Sequence, residues 1–188
     1  SLLDKSVRRR LVADVPVGVF LSGGLDSSIV AYFSSKYLSS GKLKTFSIGF
    51  EDRTFDESKW ARQVADLLGT KHLVTLFRKE ILNNLLKEVI EKLNEPLSDS
   101  SLISQYLLSK QTKKEVKVAL GGDGADEIFA GYDTFKAVKI AKIMEKILPR
   151  SVHPAIKSLL GIVPRSHSYM SFRFKLQRFL EGVGYQES

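Results

Sequence analysis

Val17-Gly18-Val19-Phe20-Leu21-Ser22-Gly23-Gly24-Leu25-Asp26-Ser27-Ser28, running on into Ile29-Val30-Ala31-Tyr32-Phe33, decides how this chain folds. Residues 17–21 are an apolar run that reads as a buried strand, and 29–33 read as the opening of a buried helix. Paired glycines and hydroxyl side chains stand between them. Glycine lets backbone N–H groups come close to an anion, and a helix start adds partial positive charge. Ser22, Ser27 and Ser28 add hydroxyl donors. The stretch therefore reads as strand, anion-binding turn and helix in direct succession.

What the turn lacks narrows its chemistry. A loop of the G-x-x-x-x-G-K-[ST] type would set a lysine on the outer phosphates. Here an aspartate, Asp26, occupies that neighbourhood. A carboxylate among phosphate donors repels the ligand unless a hard divalent cation stands between them, and Mg²⁺ suits best. The turn thus points to a magnesium-bound pyrophosphate, with chemistry at the α-phosphorus. The competing reading makes Asp26 an N-cap and the glycines an ordinary turn. The coincidence of strand, paired glycines, hydroxyls and helix favours the first.

A second glycine-rich turn, Gly121-Gly122-Asp123-Gly124-Ala125-Asp126-Glu127, follows directly on the strand expected at 116–120. An EF-hand is excluded, because Ala125 falls where an oxygen ligand is needed. A dinucleotide fingerprint fails on its glycine spacing. Two readings remain. Asp126 is the cap of the next helix, or it shares a Mg²⁺ with Asp26 at a neighbouring strand end.

Ser22–Ser28 resembles the pyrophosphate loop of the ATP-pyrophosphatase (PP-loop) superfamily, whose pattern is S-G-G-x-D-S. The nearest likeness within it is to the synthetase domain of glutamine-hydrolysing asparagine synthetases. That narrower likeness is carried by Ser47-Ile48-Gly49-Phe50, by Phe55-Asp56-Glu57-Ser58, and by residues 121–132. The last resembles S-G-[ED]-G-x-D-E-[LIV]-F-x-G-Y. The likeness as a whole covers the chain from about residue 2 to the end.

The resemblance implies an adenine nucleotide alpha hydrolase-like fold, with ATP as co-substrate and Mg²⁺ as cofactor. Ser22, Gly23, Gly24, Asp26, Ser27 and Ser28 would grip the pyrophosphate. Leu21 and Ile48 would flank adenine, and Gly121 and Gly122 would lie beside the adenylate. Asp26 and Asp126 would hold the metal. Asp123 matches an acidic position implicated in forming or using an acyl-adenylate, the candidate catalytic residue. Gly121 departs from the common serine, which removes one hydroxyl contact. The implied reaction joins the β-carboxylate of aspartate to AMP with release of pyrophosphate. Ammonia then displaces AMP to give asparagine. The family's ammonia comes from a glutaminase domain with a terminal cysteine nucleophile, and this sequence holds neither. Another carboxylate acceptor, as in β-lactam synthetase-like enzymes, stays open, and so does a nucleotide-binding module without turnover.

Bulk properties set the frame. The chain has 188 residues, 43% hydrophobic and 27% charged, as expected of a soluble globular protein with a substantial core. It reads as a piece of a longer polypeptide, since it starts at Ser1 inside a helical pattern. No apolar run reaches the roughly 18 residues of a membrane span, so no membrane partner is expected, and the resemblance implies a cytoplasmic enzyme. A homodimer is kept open. Cysteine is absent, which excludes disulfides and thiolate sites here. Residues 1–133 hold 19 Lys+Arg against 18 Asp+Glu, whereas 134–188 hold 10 against 3. Lys136, Lys139, Lys142 and Lys146 line one side of an amphipathic pattern, so this basic region reads as a solvated helix face rather than a nucleic-acid surface.

The remaining pattern alternates. An opening helix should carry Leu2, Leu3, Val7 and Leu11 along one stripe and end near residues 14–16. Strands are expected at 17–21, 44–50, 72–77 and 116–120. Helices are expected from the first turn to about Tyr37, over 57–68 behind a capping box at Thr54, over 80–93 and near 102–113. Three more are expected over 134–148, 152–160 and 169–180. The chain thus divides into an α/β nucleotide-binding core, 1–133, and a helical extension, 134–188. Alternating strands and helices imply a parallel sheet with helices on both faces and a ligand beyond the strands' carboxyl ends. His72, His153 and His167 show no ligand spacing and receive no role.

Overall fold

A computed structural model describes residues 1–38, 41–99 and 101–132, together with Phe135, Lys139 and Ile143. The chain divides into two units, Ser1–Gly124 and Ala125–Ser188. The three helices expected over 134–180 lie outside the described residues almost entirely, as do His153 and His167.

In the first unit, four strands form one parallel sheet: β1 (Val17–Phe20), β2 (Lys44–Phe50), β3 (Lys71–Phe77) and β4 (Val118–Leu120), in the order β3-β2-β1-β4. Gly18 pairs with Lys44 and with Ala119, and Ile48 pairs with Thr75. The helices are α1 (Leu2–Arg10), α2 (Leu25–Tyr37), α3 (Ser58–Leu68), α4 (Leu82–Ile90), which follows a 3-10 turn at Lys79–Ile81, and α5 (Ser101–Thr112). The chain steps outward from β1 to β2 to β3 and then returns to lay β4 on the other side of β1. Right-handed crossovers put α2 and α3 on one face and α4 and α5 on the other. Accordingly, α2 touches α3, and α5 touches β2 and β3.

One core cluster lies between the sheet and the α2–α3 face, and Phe46, Leu85, Val89 and Leu107 are buried outside it. Val19, Leu21 and Leu43 meet Ala31 of α2 and Ala61 and Ala65 of α3. Alanine on the helices lets them seat close to the larger sheet residues, each worth about 1.5–3 kcal/mol when buried. Gly18 serves the opposite face, where a Cβ would stand 2.6 Å from the Phe46 ring.

A polar chain runs through the α3 side. The Thr45 hydroxyl meets that of Thr70 at 2.8 Å and the His72 Nδ1 at 2.9 Å, while His72 Nε2 meets the Ser47 hydroxyl at 3.2 Å. Burial lowers the His72 pKa, with Arg62 adding to the effect and Asp66 opposing it.

Several boundaries differ from the sequence pattern, for local reasons. α1 stops at Arg10, where the Leu11 N–H closes back on the carbonyls of Val7 and Arg8. Its expected stripe is not buried as one. Val7 is covered, but Leu2 is 86% exposed; α1 packs on α2 through contacts such as Tyr37 Oη to Asp4 at 2.8 Å. The capping box at Thr54 does not form: the Thr54 N–H and hydroxyl both turn to Asp52 Oδ1. Asp56 accepts the Ser58 N–H instead, so α3 opens at Ser58 rather than at 57. Gly69 closes α3 in the left-handed conformation, as expected. The expected helix 80–93 is split into the 3-10 turn and α4. No helix among the described residues is long and apolar enough to cross a membrane.

Candidate active site

β1 ends at Phe20, but the Leu21 N–H still donates to the Phe46 carbonyl at 2.8 Å, which holds the chain against the sheet for one more residue. The turn proper is Ser22-Gly23-Gly24. α2 begins at Leu25, so Asp26, Ser27 and Ser28 stand in the helix's first turn. The first N–H groups of a helix have no intrahelical acceptor, which makes such an end a ready anion site.

The hydroxyls knit this turn together. Ser27 is buried. Its Oγ accepts the Ser22 N–H at 3.2 Å, pairs with Ser22 Oγ at 2.9 Å and donates to the Gly24 carbonyl at 3.3 Å. Ser28 Oγ donates to that same carbonyl at 2.6 Å, and the Gly24 N–H donates to Ser22 Oγ. Ser27 thus faces inward as the pin of the turn, whereas Ser22 is exposed.

Two glycines set the walls. Gly23 has φ +85°, and a Cβ there would fall 2.5 Å from the Ala61 nitrogen, against the first turn of α3. Gly122, just past β4, lies on the first turn of α2: a Cβ would stand 2.9 Å from the Ser27 nitrogen and 3.2 Å from the Asp26 Cβ. The turns after β1 and β4 therefore meet, backbone to backbone, where the strand order reverses. In open parallel sheets this is the place where ligands bind.

The other expected residues are placed unevenly. Leu21 is committed to the core at 1% exposure, so only its backbone is left for a ligand. Ile48 is half-buried on β2. Asp123 is exposed, and its carboxylate folds back over Gly121 into the space that a serine side chain would take. Asp26 belongs to the first unit. Asp126 belongs to the second, as the second residue of a short helix, α6 (Ala125–Phe129), and is not its cap. Within that unit the Gly131 N–H donates to the Asp126 carbonyl at 3.0 Å, and Tyr132 Oη donates to Glu127 Oε1 at 2.7 Å. Among the described residues no group of three or more His, Cys, Asp or Glu is gathered for a metal. The donors at the first turn of α2 are all oxygen, a carboxylate beside hydroxyls. Such a set fits Mg²⁺, which takes one or two carboxylates together with phosphate oxygens.

The role of one residue, quoted above only as part of a family-like stretch, was not foreseen. Asp56 is the acceptor that joins β2 to α3, and its signal was present as an acidic residue two positions before the first residue of the helix.

The asparagine synthase family profile matches residues 1–188. The chain belongs to the asparagine synthase family. It is 36% identical over 159 residues to asparagine synthetase (glutamine-hydrolysing) 1 of Bacillus subtilis, a match over 85% of this chain and 25% of that protein. It is 41% identical over 134 residues to a putative asparagine synthetase (glutamine-hydrolysing) 2 of Methanocaldococcus jannaschii, over 71% of this chain and 26% of that one. The chain thus spans about a quarter of the length of these relatives. Among solved structures, it is similar to an NH3-dependent NAD synthetase from Campylobacter jejuni, with 18% identity, a TM-score of 0.47, and 70% of this chain and 58% of that one covered.

Proposed function

We propose that this chain is an ATP-dependent, AMP-forming synthetase domain that activates the β-carboxylate of aspartate and hands it to ammonia. The observation that carries the reading is the contact of Gly122 with Ser27 and Asp26. It sets two glycine-rich turns around the N-terminus of α2 at the reversal of strand order. Membership of the asparagine synthase family supports the choice of reaction.

In this reading Ser22, Gly23, Gly24 and Ser28, with the N–H groups that open α2, receive the β- and γ-phosphates, and Ser27 keeps the turn in shape. The Leu21 backbone and Ile48 flank adenine. Gly121 and Gly122 border the α-phosphate, and Asp123 serves the acyl-adenylate. Asp26 would hold Mg²⁺, and the resemblance adds Asp126 as a further candidate ligand. Bound there, the cation offsets charge that grows on the leaving pyrophosphate. The aspartate carboxylate attacks the α-phosphorus, and the bond to the bridging oxygen of pyrophosphate breaks. Ammonia then adds to the acyl carbon and AMP departs. Donors aimed at the leaving group are worth on the order of 10²–10³ in rate each. A glutaminase domain would supply the ammonia in the whole protein, and the reaction is assigned to the cytoplasm.

The test is isotope exchange between labelled pyrophosphate and ATP, with and without aspartate, in the protein expressed from its whole gene. Aspartate-dependent exchange is expected in the wild type, with a loss of about 10²-fold or more in Asp26→Asn. Exchange supported by another carboxylate and not by aspartate would replace the acceptor. Unchanged exchange in Asp26→Asn would remove that residue from the mechanism.

A further inference from the structure

The turn after β2 is built around one carboxylate. Asp56 Oδ1 accepts the Phe50 N–H at 3.3 Å and the Ser58 N–H at 3.1 Å. The first belongs to the last residue of β2, the second to the first residue of α3. Gly49 lies beside this tie: a Cβ there would be in ordinary contact, 3.5 Å from Asp56 Oδ1 and 3.6 Å from the Ser58 Cβ. Burial pushes the Asp56 pKa up, but the Ser58 hydroxyl and the two N–H groups outweigh it and leave the pKa below the ordinary value.

What the tie positions is the first turn of α3, and that turn is the wall behind Gly23. The backbone of Trp60 and Ala61 comes so close to Gly23 that no side chain fits between them. A line of contacts therefore runs from the end of β2 through Asp56 to α3, and from α3 to the phosphate turn. Ile48, two residues before Phe50, lies at the same strand end.

We propose that Asp56 is a positioning residue for the nucleotide site: it fixes the start of α3 to the end of β2 and so sets the wall against which the Ser22–Gly24 turn closes. It touches no substrate. The proposal deepens the ATP-binding reading above and rests on it.

The experiment measures the Kd for Mg-ATP, the melting temperature, and pyrophosphate exchange for wild type, Asp56→Ala, Asp56→Asn and Asp56→Glu, each in the protein expressed from its whole gene. Asp56→Ala should weaken Mg-ATP about tenfold and leave exchange at saturating ATP within about threefold. Asp56→Asn should stay within about threefold on every readout, because an amide oxygen accepts the same two N–H groups. An Asn variant as impaired as the Ala variant overturns the proposal, since the charge itself would then be needed. So does a folded Ala variant that binds ATP like the wild type. Should Asp56→Ala not fold, Asp56→Glu carries the test. Its extra methylene displaces the acceptor, so its Kd should rise at least threefold, and an unchanged Kd overturns the proposal. A wild type that binds Mg-ATP but exchanges no pyrophosphate overturns the acyl-adenylation reading alone, and Asp56 is still judged by Kd. A wild type that binds no ATP overturns both.

Discussion

Gly122 lies against the backbone of Ser27, so near that a Cβ on Gly122 would stand 2.9 Å from the Ser27 nitrogen. The two residues are far apart in sequence, one after β4 and one in the first turn of α2. Their contact follows from the strand order, because β4 pairs with β1 and both chains leave the sheet at the same edge. The nearest atoms that a side chain at position 122 would meet are the Ser27 nitrogen, the Asp26 carbonyl carbon and the Asp26 Cβ, none of them the far end of a flexible side chain.

Gly122→Ala should therefore cost about 1–3 kcal/mol of stability, together with a measurable loss of ATP binding. Gly124→Ala is the control. Gly124 has φ +85° with no described residue within 4 Å of a Cβ, so only backbone strain of about 1 kcal/mol is expected. Urea unfolding of both variants checks the ranking. Equal losses would mean that the contact between the two turns is slack.

Gly23 and Gly24 should differ just as clearly. Gly23 combines φ +85° with a 2.5 Å approach to the Ala61 nitrogen, whereas among the described residues a Cβ on Gly24 meets only Ser22 Oγ at 3.3 Å. Strain and overlap together put Gly23→Ala at about 3 kcal/mol, and Gly24→Ala below about 1 kcal/mol. Mg-ATP titration should rank them the same way. A tolerated Gly23→Ala would show that α3 does not wall the phosphate turn.

The strand–glycine–helix succession at 17–33 was legible because each part is encoded locally, in apolar runs, glycines and hydroxyls. β2 was readable to the residue, since Lys44–Phe50 is bounded by turn residues and rich in β-formers. Errors fell where one polar group has several possible partners. Thr54 had the spacing of a cap, but Asp52 captured it, and Asp56 took over the helix start. Val7 was buried and Leu2 was not, because five residues at 3.6 per turn set Leu2 about 140° around α1 from Val7. Ser27 looked like one more phosphate donor. That its hydroxyl turns inward depends on where Ser22 and Gly24 fold.

That inward turn gives a third prediction. Ser27→Ala removes the acceptor of the Ser22 N–H and one partner of the Ser22 hydroxyl in a buried position. The cost should be about 1–3 kcal/mol in urea unfolding. Ser28→Ala removes only a bond to the Gly24 carbonyl within the same turn and should cost about 0.5 kcal/mol or less. The reverse order would mean that Ser28, not Ser27, pins the turn.

His72 supplies a pH dependence whose sign follows from its surroundings. Burial, reinforced by Arg62 and opposed by Asp66, lowers its pKa in the folded state below the ordinary 6.5. The ring sits between Thr45 and Ser47, each a hydroxyl at one of its nitrogens. As pH falls through about 6.5, the unfolded chain takes up the proton first, so its stabilisation by protonation is not matched in the folded state. The His72 contribution is therefore complete above that pH and is lost as acidification proceeds toward the folded-state pKa. The lowered carboxylates, such as Asp56, act only at more acidic values. Urea midpoints should fall between pH 7.5 and 5.5 in the wild type, and His72→Gln, which has no proton to gain, should flatten that slope. A variant that keeps the full slope would assign the titration to another group.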